Sequence, residues 1–418
     1  MSIPFQLSSD WQAASTPRLG MATIVRMSTQ GANLADLWNE LSDDGDDRTM
    51  PGRGMDLSVL AQLKGDKQLG LEIQQDMLEL RQTYCSGLTS PRQGLRVLAL
   101  AAASDIGANT PIDFLLEGSD VQLAVCYILP GKPFPDILPD HDVAIVIAPT
   151  TNDGQSALAA IEAISGKWPR ALVNHPSGIR KLERDALYKA LRDVPGLVIP
   201  QTTRIARAEL QRMTLQPPTA PAPPGPDFFP IIVRPVGSHA GVGLERIDNV
   251  DEIAGYLQRR PDAEFFWSPF IDYASKDGLF RKYRIVIIGG RPFAVHLGIS
   301  DEWKVWYASA DMAVSVDNRV EEAVFMQFFD DEFGLRHASA LTAVAQRVDL
   351  DYVAVDCAET RDGKLLIFEA DNCAIVHNID PVNVFPYKNA QMRKIFDAFI
   401  ELLERRAGYI KPVALERS

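Results

Sequence analysis

Residues 352–372 read YVAVDCAETRDGKLLIFEADN, two apolar runs on either side of an Arg-Asp-Gly turn. Runs of this length around such a turn predict two strands, 352–358 and 364–370, joined as a hairpin. Asp356 falls inside the first strand, and Glu369, Asp371 and Asn372 fall at the end of the second. Side chains alternate along a strand, so Glu369 and Asp371 share one face, and a hairpin partner can set Asp356 opposite them. A carboxylate among apolar strands is costly unless something compensates it. Oxygen ligands from two adjacent strands suit Mg²⁺, with positions left open for phosphate oxygens. Ion pairs with Arg284 or Lys364 would satisfy the same acids.

Upstream, 281–288 and 291–299 predict a second hairpin through Gly289-Gly290. It opens with Arg281-Lys282-Tyr283-Arg284, and Arg284 reads either as a stabiliser of a transferring phosphoryl group or as an ion-pair partner of Glu369. Helical patterns fill 319–330 and 335–348. Farther upstream, the strand 231–234 ends in Arg234, and the loop Gly237-Ser238-His239-Ala240-Gly241-Val242-Gly243 follows. Glycines let backbone N–H groups face an anion, and arginine adds charge and directed donors. A tight turn between two strands reads the same way. No GK[ST] closes the loop, so it is not a Walker A motif. The Pro-rich segment 216–230 predicts an extended inserted loop. Helices are expected at 179–193, 250–259 and 387–406, and a strand at 265–267.

Between 94 and 175, apolar strands (96–101, 121–129, 142–147, 171–174) alternate with helical stretches. Continuous apolar strands are covered on both faces, which predicts a parallel α/β sheet. Its first strand ends in ASDIGAN (103–109), not GxGxxG, so the domain reads as a packing domain and not a dinucleotide site. Residues 55–93 predict a helical hairpin: Leu57, Leu60 and Leu63 mark one helix, and Leu69, Ile73, Met77, Leu80 and Tyr84 the next. This hairpin resembles a single tetratricopeptide-type unit. One unit cannot bury its own faces, so it must dock elsewhere, and protein contact or homodimer formation through 55–84 is a possible use. Residues 1–54, with the acidic run Asp43, Asp44, Asp46 and Asp47, are expected to be a solvated, mobile segment.

The chain has 418 residues and a net charge of −13, which argues against a general nucleic-acid or anionic-membrane binder. Its four cysteines show no CxxC spacing, so neither a zinc site nor a disulfide framework is indicated. No apolar run reaches the ~20 residues of a membrane span, and the first residues do not read as a signal peptide. The expectation is a reduced, soluble, cytoplasmic protein.

The order of these pieces resembles the ATP-grasp superfamily, in its RimK-like and glutathione-synthetase-like branch: basic strand and glycine loop, apolar hinge strand, R-x-hydrophobic strand with its hairpin, then D…ExDN. The likeness covers roughly 96–406. It implies an α/β parallel-sheet domain at 94–175 followed at 176–418 by an α+β fold whose two subdomains clasp ATP. It further implies an ATP- and Mg²⁺- or Mn²⁺-dependent ligase. Such an enzyme activates a small-molecule or peptide carboxylate as an acyl phosphate for attack by an amine-type acceptor. On this resemblance Arg234 and Arg184 stand where lysines meet phosphates, and Gly237, Ser238, His239, Gly241 and Gly243 form the phosphate loop. Ser268, Phe270 and Ile271 form the adenine hinge, with Asp272 or Asp277 toward the ribose. Arg284 faces the reacting phosphoryl group, and Asp356, Glu369 and Asp371 or Asn372 hold the metal. Two departures stand out: arginine replaces both lysines, a planar fork in place of a point charge, and aspartate occupies the usual asparagine position. No hinge glutamate is evident. A nucleotide-binding scaffold or a kinase on the same fold are the rival functions. His239, His296 and His377 lack metal-ligand spacing and read as polar core or surface residues. Trp303 and Trp306 read equally as core or as a substrate wall.

Overall fold

The structure, a computed structural model, describes residues 3–43, 49–86, 94–213, 229–238, 241–307 and 310–409. The chain divides into two compact units: Met1–Ile179 with Leu350–Val353 and Asn372–Ser418, and Arg180–Asp349 with Ala354–Asp371.

In the first unit, six strands form one sheet: β1 (Thr16–Arg18), β2 (Thr83–Ser86), β3 (Arg96–Ala102), β4 (Gln122–Ile128), β5 (Val143–Val146) and β6 (Ala171–Val173). Their order is β1-β2-β4-β3-β5-β6. The pairs β3–β4, β3–β5 and β5–β6 are parallel, as the unbroken apolar strands require. Val97 to Ala102 are buried throughout.

Residues 1–54 contain helices that the sequence pattern did not mark. Helices α1 (Met21–Thr29) and α2 (Leu34–Ser42) pack Ile24 and Leu37 against Val59 and Leu60 of α3 (Met50–Leu63). Buried Asp56 accepts hydrogen bonds from the Leu19 and Gly20 N–H groups at 2.7 and 3.1 Å, fixing the entry to α1. Sequence periodicity missed these helices because each is short and contributes few core residues. Of the acidic run, Asp44, Asp46 and Asp47 lie outside the described residues.

The turn after α3 is capped by Asp66, whose carboxylate accepts from the Leu69 N–H (3.1 Å) at the start of α4 (Lys67–Leu80). α3 and α4 approach closely at Gly70, where a Cβ would sit 2.8 Å from the Ser58 carbonyl oxygen. The faces that this helix pair cannot bury alone are thus met in part by α1 and α2. One βα unit, β5 into α5 (Asn152–Ser165), leads to β6. The C-terminal helix Lys388–Arg406 belongs to this unit. Its Phe399 ring packs edge-on to Tyr352 at 5.2 Å, and Arg393 Nη1 donates to the Glu117 carbonyl at 3.0 Å.

The second unit contains two sheets. The strands β7 (Leu197–Val198), β8 (Thr203–Ala206), β9 (Ile231–Pro235), β10 (Glu245–Ile247), β11 (Glu264–Pro269), β12 (Phe280–Ile288), β13 (Arg291–Ser300), β14 (Tyr352–Glu359, of which Tyr352 and Val353 count with the first unit) and β15 (Leu365–Asp371) follow in chain order. Four of them make an antiparallel sheet, β8-β11-β9-β10, backed by helix α7 (Glu252–Arg259), with Ile231, Val233, Tyr256 and Phe265 in its core. The other five make the sheet β13-β12-β14-β15-β7. Helix α6 (Arg184–Leu191) runs along this unit, with α8 (Val316–Gln327) and α9 (Ala338–Val348). Both expected hairpins are present, turning at Gly289-Gly290 and at Arg361-Asp362-Gly363. Nearly all of the Pro-rich segment, 216–228, lies outside the described residues, as does His239. Among the described residues, no helix is long and apolar enough to cross a membrane.

Candidate functional site

The site begins with one residue pair. In the β14–β15 ladder, Asp356 stands directly opposite Glu369, and Ala354 opposite Asp371. A bulge follows, because Cys357 pairs with Ile367 and leaves Phe368 as the extra residue. The bulge frees the Phe368 carbonyl, which accepts from Arg184 Nη1 at 3.2 Å. Arg184 Nη2 also donates to Glu369 Oε2. Arg184 opens helix α6, so the first turn of that helix is fastened to the bulge.

Asp356 is 2% exposed and held from the neighbouring strand. Arg284 grips it with two bonds, Nε to Oδ1 at 2.7 Å and Nη2 to Oδ2 at 2.9 Å. Lys282 Nζ lies 2.7 Å from Oδ2. Lys282 and Arg284 are two apart on β12 and therefore share a face. Burial opposes ionisation of Asp356, but Arg284 and Lys282 override it and hold the carboxyl well below its usual range. Glu369 is also lowered: burial works against the charge, Arg184, Lys282 and Arg234 favour it, and Asp356 opposes it. Burial and neighbouring Arg184 pull the Arg234 guanidinium down to about 9, with Glu369 partly offsetting them. Asp371 adds its field to that of Asp356 and Glu369 at Arg284. The seven groups act on one another as one electrostatic cluster. Arg184, Arg234, Lys282 and Arg284 stand against Asp356, Glu369 and Asp371, leaving an excess of one positive charge.

Arg234, 7% exposed, serves the glycine loop. Its Nε donates to Ser238 Oγ at 3.2 Å and its Nη2 to the Ser238 carbonyl, while Ser238 Oγ donates to the Pro235 carbonyl at 2.8 Å. Arg234 thus joins the described part of the loop to the charge cluster, and its hydrogen bonds do not go to an acid. Gly237, Gly241 and Gly243 all have positive φ, and a Cβ at Gly243 would meet Pro235 Cδ at 2.6 Å. Lys304 Nζ donates to the Gly241 and Leu244 carbonyls, both at 3.1 Å, pinning the far side of the loop.

The hinge residues lie on or just after β11. Ser268 pairs with Ile232, and the Phe270 N–H donates to the Pro230 carbonyl at 2.9 Å, so that donor is committed within the protein. Phe270 meets Trp303 edge-on at 5.7 Å and carries the Arg246 guanidinium over its ring at 4.4 Å. Ile271 packs beside Tyr273, Ala358 and Leu366. Asp272 pairs with Arg361 at 3.0 Å and accepts from the Ala274 N–H at 3.0 Å, and Asp277 pairs with Arg281 at 2.8 Å. His296 sits opposite Arg284 in the ladder and stacks on Tyr307 at 4.4 Å. The Tyr307 hydroxyl donates to buried Glu322 at 3.0 Å.

Of the expected metal set, Asp356, Glu369 and Asp371 lie in the charge cluster and Asn372 does not; among the described residues, no group of three His, Cys, Asp or Glu is arranged to hold a metal ion. The reason is charge pairing, since Asp356 and Glu369 face cations. Asn372 is committed in the first unit, where its Nδ2 donates to the Ala148 carbonyl at 3.0 Å and its own carbonyl accepts from Thr110 Oγ1 at 2.8 Å. Arg284 pairs with Asp356, while Glu369 takes Arg184. Lys364 turns to Asp362 at 2.7 Å and takes no part. Lys282 and Lys304 were missed. The two-residue spacing from Arg284 was signal enough for Lys282, whereas nothing local marks Lys304.

No protein-family model matches the chain, and no curated protein matches it. Among solved structures, it is similar to a RimK-domain ATP-grasp protein from Sphaerobacter thermophilus DSM 20745, with 14% identity over 75% of this chain and 99% of that one, TM-score 0.41. A D-cycloserine synthetase is similar at 15% identity over 73% and 99%, TM-score 0.42. The D-alanine–D-alanine ligase of Coxiella burnetii is similar at 13% over 75% and 96%, TM-score 0.44.

Proposed function

We propose that this chain is an ATP-grasp enzyme, an ATP-dependent ligase that joins a carboxylate to an amine-type acceptor. The observation that carries the reading is the convergence of Arg184, Arg234, Lys282 and Arg284 on the three acids, with Arg234 also closing the glycine loop. A cluster with surplus positive charge, beside backbone that glycines leave open, suits a polyphosphate.

In this reading a carboxylate oxygen of the substrate attacks the terminal phosphorus. The bond to the bridging oxygen breaks, and ADP leaves with that electron pair. The acceptor nitrogen then attacks the acyl carbon, phosphate departs, and the nitrogen gives up a proton. Arg284 stabilises the charge that builds on the phosphoryl oxygens, and Asp356, itself held by Lys282, keeps Arg284 in place. Arg184 and Arg234 position the remaining phosphates. Positioning and preorganised charge supply the acceleration, so loss of one such donor is expected to cost ~10²–10³ in rate. The donor set of Glu369 and Asp371 is oxygen only, which is the chemistry of Mg²⁺ or Mn²⁺. Those two residues would hold the ion once phosphates draw Arg184 away from Glu369, and the ion would neutralise phosphate charge.

The deciding experiment is ATP affinity and melting temperature in Arg234→Ala and Arg234→Lys. Ligand binding to the folded state raises the melting temperature, and Arg234→Ala is expected to lose that shift while Arg234→Lys keeps much of it. Unchanged affinity in a folded Arg234→Ala would overturn the reading. ADP release that requires an amine separates ligase from kinase, and ATP binding without turnover would favour a nucleotide-binding scaffold.

A further inference from the structure

The second unit has a cavity of about 440 Å³ among whose lining residues are Tyr273, Lys276, Arg281, Tyr283, Glu321 and Glu359. Arg281 and Tyr283 alternate with Lys282 and Arg284 along β12, so the cavity opens on the opposite face of the strand from the charge cluster. Its size is that of a small-molecule site.

The polar groups of the cavity divide into spent and unspent. Arg281 is consumed: it bonds both oxygens of Asp277, at 3.1 and 2.8 Å, and both oxygens of Glu321. Glu359 is half consumed, because its Oε1 takes both Arg336 Nε (2.8 Å) and His337 Nε2 (2.7 Å). Its Oε2 makes no hydrogen bond among the described residues. Lys276 is exposed and makes no ion pair among them. The charges of Lys276, Arg281 and Arg336 balance those of Asp277, Glu321 and Glu359, so neither a net anion nor a net cation is favoured. The charged groups left are one ammonium and one carboxylate oxygen, beside the Ser275 hydroxyl and with buried Tyr273 and Tyr283 as walls. Tyr273 is braced edge-on by Phe280 and Phe368, each at 4.9 Å, and Tyr283 packs against the tilted ring of Phe333 at 4.6 Å.

We propose that this cavity binds a free α-amino acid with an apolar side chain, its carboxylate on Lys276, its ammonium on Glu359, and its side chain against the tyrosine rings. A zwitterion meets both unspent groups without changing the charge of the cavity. The site is separate from the ATP reading and stands or falls without it.

The test is calorimetric titration of the full chain with L-leucine, 4-methylpentanoate (which lacks the amine) and 3-methylbutylamine (which lacks the carboxylate). L-Leucine is expected to saturate, and each half-ligand to bind at least about tenfold more weakly, since each has lost a charge-assisted contact. Lys276→Met is expected to weaken L-leucine by about tenfold or more while leaving the ATP-dependent thermal shift unchanged. Glu359→Gln is expected to weaken it similarly. If Glu359→Gln does not fold, Lys276→Met decides alone, because Lys276 is exposed. Absence of saturation by L-leucine, equal affinity for either half-ligand, or full affinity in Lys276→Met would each overturn the proposal.

Discussion

On one face of β12, Lys282 and Arg284 close on Asp356, whose side chain is 2% exposed. On the other face, Arg281 is clasped by Asp277 and Glu321, whose side chains are 48% and 39% exposed. The residue types and distances are alike, and the surroundings differ. A buried carboxylate has lost its water, so its cations are what make its charge tolerable. An exposed carboxylate keeps its water, and its arginine adds little. The buried face is therefore where charge has been concentrated at a cost, and the exposed face is where charge merely orders a side chain.

The largest effect should follow from breaking the buried face. Asp356→Asn leaves Arg284 and Lys282 without their carboxylate partner, and removing one partner of a buried pair costs about 3–5 kcal/mol. Urea denaturation is the measurement, and a loss below about 1 kcal/mol would mean that neighbouring acids had taken over the two cations.

Acid should expose the same contrast more gently. Asp356 is held well below its ordinary value, and Asp277 is lowered to about 2, chiefly by hydrogen bonds from Arg281 and the Leu279 N–H. A carboxyl lowered in the folded state contributes stability that is present above its unfolded value, about 3.9, and lost as pH falls through the folded one. The contributions of Asp356 and Asp277 to the urea midpoint should thus be fully present at pH 5 and above and be lost as the pH falls below about 4. Part of that decline should disappear in Asp356→Asn, and less of it in Asp277→Asn. A midpoint unaffected down to pH 3 would contradict the direction assigned to Asp356.

The smallest effect belongs to Asp277→Asn itself. Its pair with Arg281 is exposed and Glu321 remains, so the change should stay within about 1 kcal/mol in denaturation. A larger loss would erase the distinction between the two faces.

Much of this was legible in the chain. Apolar runs, their period and their turn residues are properties of near neighbours, so β12 to β15 and both hairpins emerge within a residue or two. The face shared by Glu369 and Asp371 follows from the same alternation, whereas Asp356 stands opposite Glu369 only because the bulge shifts the register by one. The parallel sheet at β3 to β6 follows from unbroken apolar strands. Partner choice did not. Whether Arg284 takes Asp356 or Glu369 depends on which strand lies beside β12, and on a one-residue bulge after Asp356 that presents the Phe368 carbonyl to Arg184. Lys304 reaches the glycine loop from 60 residues away. Asn372 turns to Ala148 one residue after Asp371 ends its strand. Side-chain alternation is written into the backbone and can be read locally; ion pairs and burial are settled only when distant segments displace water together, and that is a property of the folded whole.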